Sequence, residues 1–510
     1  MKNFKYIFLA SSLLFFTNCN DPEDVDLNPI MDAEPLSELT AGSANFSTYV
    51  SLGNSLAAGF TDGALFKASQ ENSLPNILSQ KFAIVGGGAF TQPLTNDNFG
   101  GLALLGTRIQ EPRLVFGGAG PVPLEAVIGP VTVTTDIVLN NPTGPFNNLG
   151  IPGAKSFHLL APGYGNISNV ELDLANPFAV RVTGTTPNAS MLELGMAQSP
   201  TFFSLWIGNN DVLGYALTGG DGSNPITPVS GPPGVGFDGS YGALIATLTS
   251  AGAKGVVANI PGVTSVPHFT TVPHNPVPLD AATASAVNAA YAPYNGGLQA
   301  AFAALAGTGL FTQEELDART ITFAAAPNNA VVIEDESLTD LGAINPAFAG
   351  LPKYRQATAA DLLVLSASTF IGTLAVPGNP LTVNGVAIPL ADKWVLVPSE
   401  QEEIATATAS YNAIIAAAAS QAGLALVDAN ALLDQLANGG IKSGESILTS
   451  NLVTGGSFSL DGFHPTSRGY ALLANEFMKA IDATYGSNFE ASGNFVNVGN
   501  YPTNYSPALQ

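Results

Sequence analysis

Continuous apolar runs of strand length alternate along this chain with longer alanine-rich segments. Such runs are typical of strands buried on both faces of a parallel sheet. The pattern therefore predicts an α/β protein whose central parallel sheet is covered by helices. The predicted strands are residues 48–52, 201–207, 255–260 and 424–428, and the predicted helices are residues 241–250, 281–305, 400–421 and 467–485.

Two long stretches depart from this alternation and are predicted to be insertions. Residues 64–147 are rich in glycine and proline, and residues 312–397 contain hairpin-like signals. Asn384-Gly385 lies between alternating apolar residues, which is the strongest short signal for a hairpin, and a second hairpin is predicted around Asn328-Asn329. Local patterns also predict that a capping box at Ser399 to Glu402 begins the third long helix.

The first residues have the pattern of a bacterial export signal. Lys2 and Lys5 precede an apolar stretch at residues 6–16, which is too short to span a bilayer. The only cysteine, Cys19, follows directly and resembles the acylated cysteine of a lipoprotein, although Asn18 replaces the small residue usual before it. We therefore predict a signal peptide at residues 1–18 and lipidation of Cys19.

Residues 19–45 form an acidic, proline-bearing lead that is predicted to be a tether between the lipid and a single domain at residues 46–486. The lead resembles the export signals that send some lipoproteins of Bacteroidetes-type bacteria to the cell surface, but a plain solvated linker fits the same composition. The predicted location is thus the outer membrane, with the domain facing either the periplasm or the cell surface. Residues 487–510 are predicted to be an irregular tail.

Charge and composition narrow the range of partners. The chain carries 39 acidic and 16 basic residues, a formal net charge of −23, which excludes a phosphate backbone as a favourable partner. Only 11% of the residues are charged, so the surface is predicted to consist largely of small polar side chains. No cofactor motif is found.

Metal chemistry has weak support in the sequence. Of the four histidines, His268 and His274 lie in a proline-rich loop without the close helical spacing of a zinc site, and exposed loop histidines are the expected outcome. His158 has no motif around it. The acidic group at residues 334–336 with Asp340 lacks the ligand spacing of a calcium loop, so a solvated turn is predicted and no metal site is assigned.

His464 differs from the other histidines because Asp461 lies three residues before it, next to a predicted helix start. A carboxylate at this spacing can accept the imidazole Nδ1–H and leave Nε2 free to take a proton. The alternative is a helix N-terminus at which Asp461 binds backbone amides and His464 has no chemical role. The spacing alone does not decide between the two.

A nucleophile for such a base is available at Ser55. It follows the first predicted strand in Gly53-Asn54-Ser55-Leu56, at the edge of the sheet where α/β proteins build their sites. Ser55 would begin the next helix with its backbone N–H unpaired, although Ser55 or Asn54 could instead serve only as a helix cap.

Two further loops occupy similar positions. Gly153 lies in a turn after Asn148, and Asn210 follows the predicted strand at residues 201–207. Together with Ser55 N–H, the Gly153 N–H and the Asn210 side-chain amide can donate to an oxyanion of acyl transfer. Each residue also has a simpler explanation. Gly153 could serve only to relieve strain in a turn, and Asn210 could be present only because it tolerates a left-handed backbone conformation.

These segments together resemble the SGNH, or GDSL-type, hydrolases. The residues that name the family match Ser55 in GNSL, Gly153 in NLGIPG, Asn210 in GNND and His464 in DGFHP, in the family's order. Asp461 matches the family's triad carboxylate. The chain departs from the family at Asn54, where the usual motif has aspartate, and this puts the local turn in question.

The resemblance implies a flavodoxin-like three-layer α/β/α fold and a serine esterase or lipase that needs no metal or cofactor. Ser55, Asp461 and His464 would form the triad, with Ser55, Gly153 and Asn210 as the oxyanion hole. The substrate would be a lipid or an acylated glycan. The competing hypothesis is a surface lipoprotein that uses the same fold as a binding or structural module without catalysis.

Overall fold

Short apolar segments ending in glycine or asparagine form the strands of this protein, and the alanine-rich segments form its long helices. The computed structural model describes residues 36–379 and 382–510. The predicted signal peptide, Cys19 and most of the predicted tether lie outside the described residues. The strands are, in chain order, β1 (Tyr49–Gly53), β2 (Leu102–Leu104), β3 (Thr107–Gln110), β4 (Leu114–Phe116), β5 (Pro121–Pro123), β6 (Asn148–Gly150), β7 (Phe202–Trp206), β8 (Lys254–Ala258), β9 (Val277–Leu279), β10 (Ala326–Asn329), β11 (Val332–Glu334), β12 (Tyr354–Gln356), β13 (Leu362–Leu363), β14 (Val395–Leu396), β15 (Ala425–Val427), β16 (Ile441–Ser443) and β17 (Ser446–Leu448).

The helices are distributed along the whole described chain. They are α1 (Ser55–Ala58), α2 (Lys67–Glu71), α3 (Leu74–Ala83), α4 (Leu124–Ile128), α5 (Pro177–Thr183), α6 (Met191–Met196), α7 (Asn210–Leu217), α8 (Phe237–Thr249), α9 (Pro267–Thr270), α10 (Ala281–Ala304), α11 (Gln313–Arg319), α12 (Leu341–Ile344), α13 (Ala367–Phe370), α14 (Pro398–Ala422), α15 (Ala429–Ala437) and α16 (Ser467–Tyr485). In the described part of the chain, no helix is both long enough and apolar enough to cross a membrane.

A five-stranded parallel sheet lies at the centre, in the order β15-β8-β7-β1-β6. Numbered by their order along the chain, these strands run 2-1-3-4-5 across the sheet. The class predicted from the sequence, α/β with a central parallel sheet, is confirmed. The four predicted strands are all present, and β6 between Asn147 and Ile151 was missed because three residues are too few to show a period.

Helices cover both faces of this sheet. Val50 and Leu52 of β1 pack into one apolar cluster, with β7, β8 and residues of α5, α6, α8 and α14. Tyr49 packs into a second cluster on the opposite face, with residues of α3, α15 and α16. Successive side chains of a strand point to opposite faces, so the continuous apolar run of β1 serves both layers.

The long helices agree with the sequence prediction, and α16 has the predicted bounds. The start of α14 differs from the prediction, because the predicted capping box at Ser399 to Glu402 is wrong. Pro398 occupies the first helical position, which its fixed φ favours. Glu400 therefore accepts the Val397 N–H at 2.7 Å, in place of the predicted pairing between Ser399 and Glu402.

Both predicted hairpins of the second insertion are also wrong. Val383 forms a bridge with Leu374, and Gly385, at φ +80°, begins a tight turn in which its N–H donates to Ile388. The segments around Asn328-Asn329 separate, since β10 pairs with β9 and β11 pairs with β12. Each segment paired with a part of the chain other than the one its turn signal indicated.

The predicted first insertion, the predicted tail and the predicted start of the domain each differ in part from the structure. Residues 64–147 hold the hairpins β2–β3 and β4–β5, but their helix α3 packs against α16 and belongs to a main helical layer. Residues 487–510 have one 3₁₀ turn and are otherwise irregular, yet Phe489 and Val498 are buried. Ser43 N–H donates to Tyr485 O, so contacts with the domain begin before the predicted boundary at residue 46.

Candidate functional site

Three loops meet at the carboxyl edge of the central sheet. Gly53, the last residue of β1, is in register with Gly150 of β6 and Trp206 of β7. The strand order changes direction at β1, and α/β sheets form a crevice at such a point. The segments that carry Ser55, Gly153 and Asn210 follow these three strands directly.

Ser55 is the first residue of α1, and its side chain is held close to neighbouring backbone. A Cβ on Gly53 would lie 2.5 Å from the Trp206 carbonyl oxygen, so only glycine permits this close approach two residues before Ser55. Asn54 caps the helix by accepting the Leu56 N–H at 3.0 Å. Ser55 is 8% exposed, and that remaining surface faces a cavity.

Asn54 has a second contact that an aspartate could not make. Its Nδ2 donates to Oδ1 of Asn209 at 3.2 Å, which joins the loop after β1 to the loop after β7. A carboxylate only accepts hydrogen bonds, so it would repel the Asn209 oxygen. The turn at residue 54 is thus well formed with asparagine.

Gly153 lies in the turn after β6. Its φ of +81° and the Ala154 N–H bond to Ile151 O describe a tight turn with Pro152 and Gly153 at its centre. Asn210 Nδ2 donates to Ala154 O at 2.9 Å, so the third loop is tied to this turn. Among the described residues, neither the Ser55 N–H nor the Gly153 N–H has an acceptor.

The start of α7 is anchored by a buried carboxylate. Asp211, next to Asn210, accepts both the N–H and the hydroxyl of Ser156, at 2.8 and 2.7 Å. This links α7 to the chain that leaves the Gly153 turn. The relative positions of Asn210 and Gly153 are therefore set by two independent contacts.

Asp461 and His464 form the contact that their spacing predicts. His464 Nδ1 lies 2.8 Å from Asp461 Oδ2. Because a carboxylate can only accept, Nδ1 carries the proton and Nε2 is the free basic nitrogen. Asp461 also accepts the N–H groups of Gly63, Phe463 and His464, between 2.8 and 2.9 Å.

These contacts keep Asp461 ionised. Burial acts to raise its pKa, but the neighbouring His464 and the N–H donors together hold the pKa of Asp461 well below its usual range. The carboxylate is therefore charged at neutral pH and can stabilise an imidazolium on His464.

The loop that carries Asp461 and His464 is docked on the segment that follows Ser55. The ring of Phe60 lies 4.6 Å from that of His464, and Thr61 Oγ1 donates to Pro465 O at 2.9 Å. Gly63 N–H reaches Asp461 directly. About 400 residues of sequence separate these partners, yet His464 and Ser55 line the same cavity.

A second carboxyl group, Asp62, lies beneath this loop and was not identified from the sequence, where Asp62-Gly63 looks like an ordinary turn signal. Asp62 is 1% exposed, and its Oδ1 accepts the Leu460 N–H at 3.1 Å. Burial, with a smaller contribution from the charge of Asp461, raises the pKa of Asp62 to about 7. Asp62 is thus largely protonated in mildly acidic solution.

The raised pKa of Asp62 predicts a pH-dependent stability. In the unfolded chain this carboxyl ionises near pH 4, so its contribution to folding is complete below that pH and is lost as the pH rises through 7. The loss amounts to about 4 kcal/mol in the free energy of unfolding. We expect Asp62→Asn to flatten the pH dependence of urea unfolding between pH 4 and pH 8. The exposed Asp434→Asn is the control, and equal slopes in the two variants would contradict the prediction.

One cavity of about 820 Å³, including its open mouth, contains the central residues of this site. Ser55, Asn210 and His464 contribute polar atoms at its wall, and most of the remaining wall is apolar. Gly153 is not part of that wall and lies in the adjoining turn. The apolar residues are Leu56, Trp206, Leu213, Val263, Val266, Leu432, Leu433, Leu436, Phe458, Phe463, Leu472 and Leu473.

The structure thus brings Ser55, Asn210 and the Asp461–His464 pair to one cavity. Within the described residues, no hydrogen bond joins Ser55 Oγ to His464. Bonds between nucleophile and base are often long without substrate and shorten in the reacting complex. The arrangement provides a hydroxyl, a base oriented by a carboxylate, and N–H donors, which is the set needed for acyl transfer.

The exposure predicted for His268 and His274 is wrong, and His158, for which no exposure was predicted, is half-buried as well. His268 is half-buried against Phe463, with ring centroids 4.0 Å apart, and burial lowers its pKa to about 4. His158 stacks on Tyr164 and also has its pKa lowered to about 4 by burial. His274 is half-buried. The prediction of exposed loop histidines is wrong because their proline-rich loop packs against the Asp461 loop.

The acidic group at residues 334–336 is not a simple solvated turn either. Asp335 is buried and pairs with Arg355 at 2.5 Å, while Glu336 faces other acidic groups. Asp340 caps α12 by accepting the Ala343 N–H. Asp335 and Asp340 therefore each have a partner of their own, and the four residues do not form one site.

Comparisons of the chain with protein-family models, with curated proteins and with solved structures give no match. The geometry of the site is consequently the basis for any functional interpretation.

Proposed function

We propose that this protein is a serine ester hydrolase of the SGNH type, with a flavodoxin-like three-layer α/β/α fold. The strand order 2-1-3-4-5, with the candidate site beside the strand at which the order reverses, supports this fold. The observation that carries the functional proposal is the convergence of Ser55 and the Asp461–His464 pair on one cavity.

The reaction would proceed through an acyl-enzyme. Ser55 Oγ attacks the ester carbonyl carbon while His464 Nε2 takes the hydroxyl proton, and Asp461 stabilises the imidazolium that results. The oxyanion accepts hydrogen bonds from Ser55 N–H, Gly153 N–H and Asn210 Nδ2. As the C–O bond to the alcohol breaks, His464 returns the proton to the leaving oxygen. A water molecule then repeats the sequence, releases the acid and regenerates Ser55.

Covalent labelling tests the role of Ser55 as nucleophile. A serine-directed fluorophosphonate should modify the folded full chain once, and tryptic mass spectrometry should place the adduct on the peptide containing Ser55. Heat-unfolded protein is the control, because an unactivated serine does not react. A folded protein that resists the reagent would favour the competing hypothesis of a non-catalytic binding module.

The cavity wall supports an apolar acyl group as the preferred substrate over the acetyl group of a glycan. Helices α15 and α16 contribute five leucines to the wall of the cavity that Ser55 and His464 also line. Each methylene buried there contributes up to about 0.8 kcal/mol, which is roughly a fourfold gain in kcat/KM. A polar glycan ester would gain nothing from this surface.

We therefore expect kcat/KM to rise from p-nitrophenyl acetate to the butyrate and the octanoate, until the cavity is filled. Leu436→Phe, which adds volume to the wall, should reduce octanoate turnover by about tenfold and acetate turnover by less than about threefold. Leu426→Phe is the matched control, because Leu426 is 36% exposed on β15 and does not line the cavity. Acetate preference in the wild type would contradict the apolar-acyl proposal while leaving the triad intact.

The proposed location is the outer membrane, with the domain attached through a lipid on Cys19 and facing either the periplasm or the cell surface. Support comes from the export signal at residues 1–18 and the acidic segment that follows. Metabolic labelling with a clickable palmitate should mark the wild type, and Cys19→Ala should remove the label and release the protein from membranes.

A further inference from the structure

A second cluster of polar groups lies outside the candidate active site. One carboxylate oxygen from each of Glu336, Asp392 and Glu400 lies within 4.8 Å of the other two. Glu336 follows β11, Asp392 begins a 3₁₀ turn at Asp392–Trp394, and Glu400 is in the first turn of α14. None of the three lines the cavity at Ser55.

One carboxylate oxygen of Glu400 has no hydrogen-bond partner among the described residues. Glu400 is 2% exposed, and its Oε2 accepts the Val397 N–H. Its other oxygen, Oε1, is buried and has no hydrogen-bond partner among the described residues, and the same holds for Asp392 Oδ1. Buried carboxylate oxygens are nearly always paired, so two orphaned oxygens in one cluster call for a cation or a shared proton.

Within the part of the chain that the structure describes, no ion pair joins a basic side chain to any of these three carboxylates. Asp221 and Glu334 act on Asp392 with the same sign of charge, as does Glu336. Like charges held this close are unfavourable unless a cation or a proton neutralises them. Gly220 leaves space for Glu400, because a Cβ there would lie 2.2 Å from Oε1.

We propose that Glu336, Asp392 and Glu400 bind a calcium ion. Two oxygens bound to one Ca²⁺ at about 2.4 Å each are at most about 4.8 Å apart. Three oxygens that all lie within 4.8 Å of one another can therefore reach the same ion. The donors are all carboxylate oxygens, which suit a hard cation and not zinc. Glu336 is exposed, so water can complete the six to eight ligands that calcium takes.

The ion would act on structure and not on the chemistry at Ser55. It would connect the start of α14 to the segment after β11 and to the 3₁₀ turn before β14, all of which belong to the region predicted as the second insertion or border it. An exported protein would meet calcium at the concentrations that extracellular modules bind, with a dissociation constant of about 10⁻⁴ to 10⁻³ M.

Calorimetric titration of the full chain with CaCl₂, after removal of divalent ions with EDTA, tests the proposal. We expect one saturable site and a rise in Tm of roughly 2 to 4 °C in excess calcium. Glu400→Gln and Asp392→Asn should each abolish both effects, with esterase activity as the check that the variants are folded. Glu402→Gln, on the exposed face of the same helix, should retain them.

Three results would overturn the assignment. Calcium binding that persists in both variants would place the site elsewhere. Absence of binding to the wild type, together with a higher Tm of Glu400→Gln in EDTA, would show that a shared proton neutralises the cluster. Tighter binding of MgCl₂ than of CaCl₂ would show that calcium is the wrong ion for this site, since Mg²⁺ requires a smaller and more regular site.

Discussion

Ser55→Ala is expected to lower kcat for p-nitrophenyl butyrate by about 10⁴- to 10⁶-fold, to the residual rate that binding and the oxyanion donors alone provide. The loss is this large because no acyl-enzyme can form without the hydroxyl. Loss of a side chain that only caps α1 would leave turnover unchanged. Initial rates with enzyme at micromolar concentration measure the residual activity, and circular dichroism checks the fold.

Ser51→Ala is the matched control for this substitution. Ser51 lies in β1, four residues before Ser55, and is as deeply buried, but it does not line the cavity. We expect its kcat to remain within about threefold of the wild type, as for most conservative changes away from a reacting group. If Ser51→Ala and Ser55→Ala lose activity equally, or if neither does, the proposed nucleophile is wrong.

Asp461→Asn is expected to lower kcat by about 10⁴-fold with little change in KM. An asparagine keeps the shape of the side chain, but its amide can donate to His464 Nδ1 and thereby favour the tautomer whose Nε2 already carries a proton. The base is then unable to accept the proton of Ser55. Steady-state kinetics at pH 7 to 9 measure the effect on kcat separately from that on KM.

Asp62→Asn is the control for Asp461→Asn, because it makes the same carboxyl-to-amide change at a neighbouring position. Asp62 is buried and the Asp461 side chain is 11% exposed, and both accept backbone N–H groups around the 459–465 loop, but only Asp461 contacts His464. The Asp62 variant should therefore change the pH dependence of stability and keep kcat within about tenfold of the wild type. Equal losses of kcat in the two variants would indicate that the loop's position, and not the His464 tautomer, limits the rate.

The local predictions succeeded where a short-range interaction governs the structure. Asp461 and His464 meet because three residues in a turn bring their side chains to one side, and no distant contact is needed for this. The strands β1 and β7 were recognised because burial on both faces demands a continuous apolar run. Ser55 begins a helix because Gly53 ends the strand and Asn54 caps α1.

The predictions that were wrong concern segments whose structure depends on contacts outside the local sequence. Asn384-Gly385 is a good hairpin turn, but Val383 found a partner in Leu374, and β10 and β11 each paired with a strand far away in the chain. His268 was expected in solvent, and the ring of Phe463 covers it. In each case a tertiary contact contributed more than the local preference, which is worth only about 1 kcal/mol in strands.

The sequence by itself determined the α/β class, the order of the motifs and the chemical types of the candidate residues, because these depend on periodicity and on side chains that are neighbours in the chain. Only the tertiary structure decided that Ser55 and His464 share one cavity, that Asp62 lies buried under their loop, and that Glu336 meets Asp392 and Glu400. Packing of elements tens to hundreds of residues apart creates those contacts, and no pattern in a local window records which distant elements will pack together.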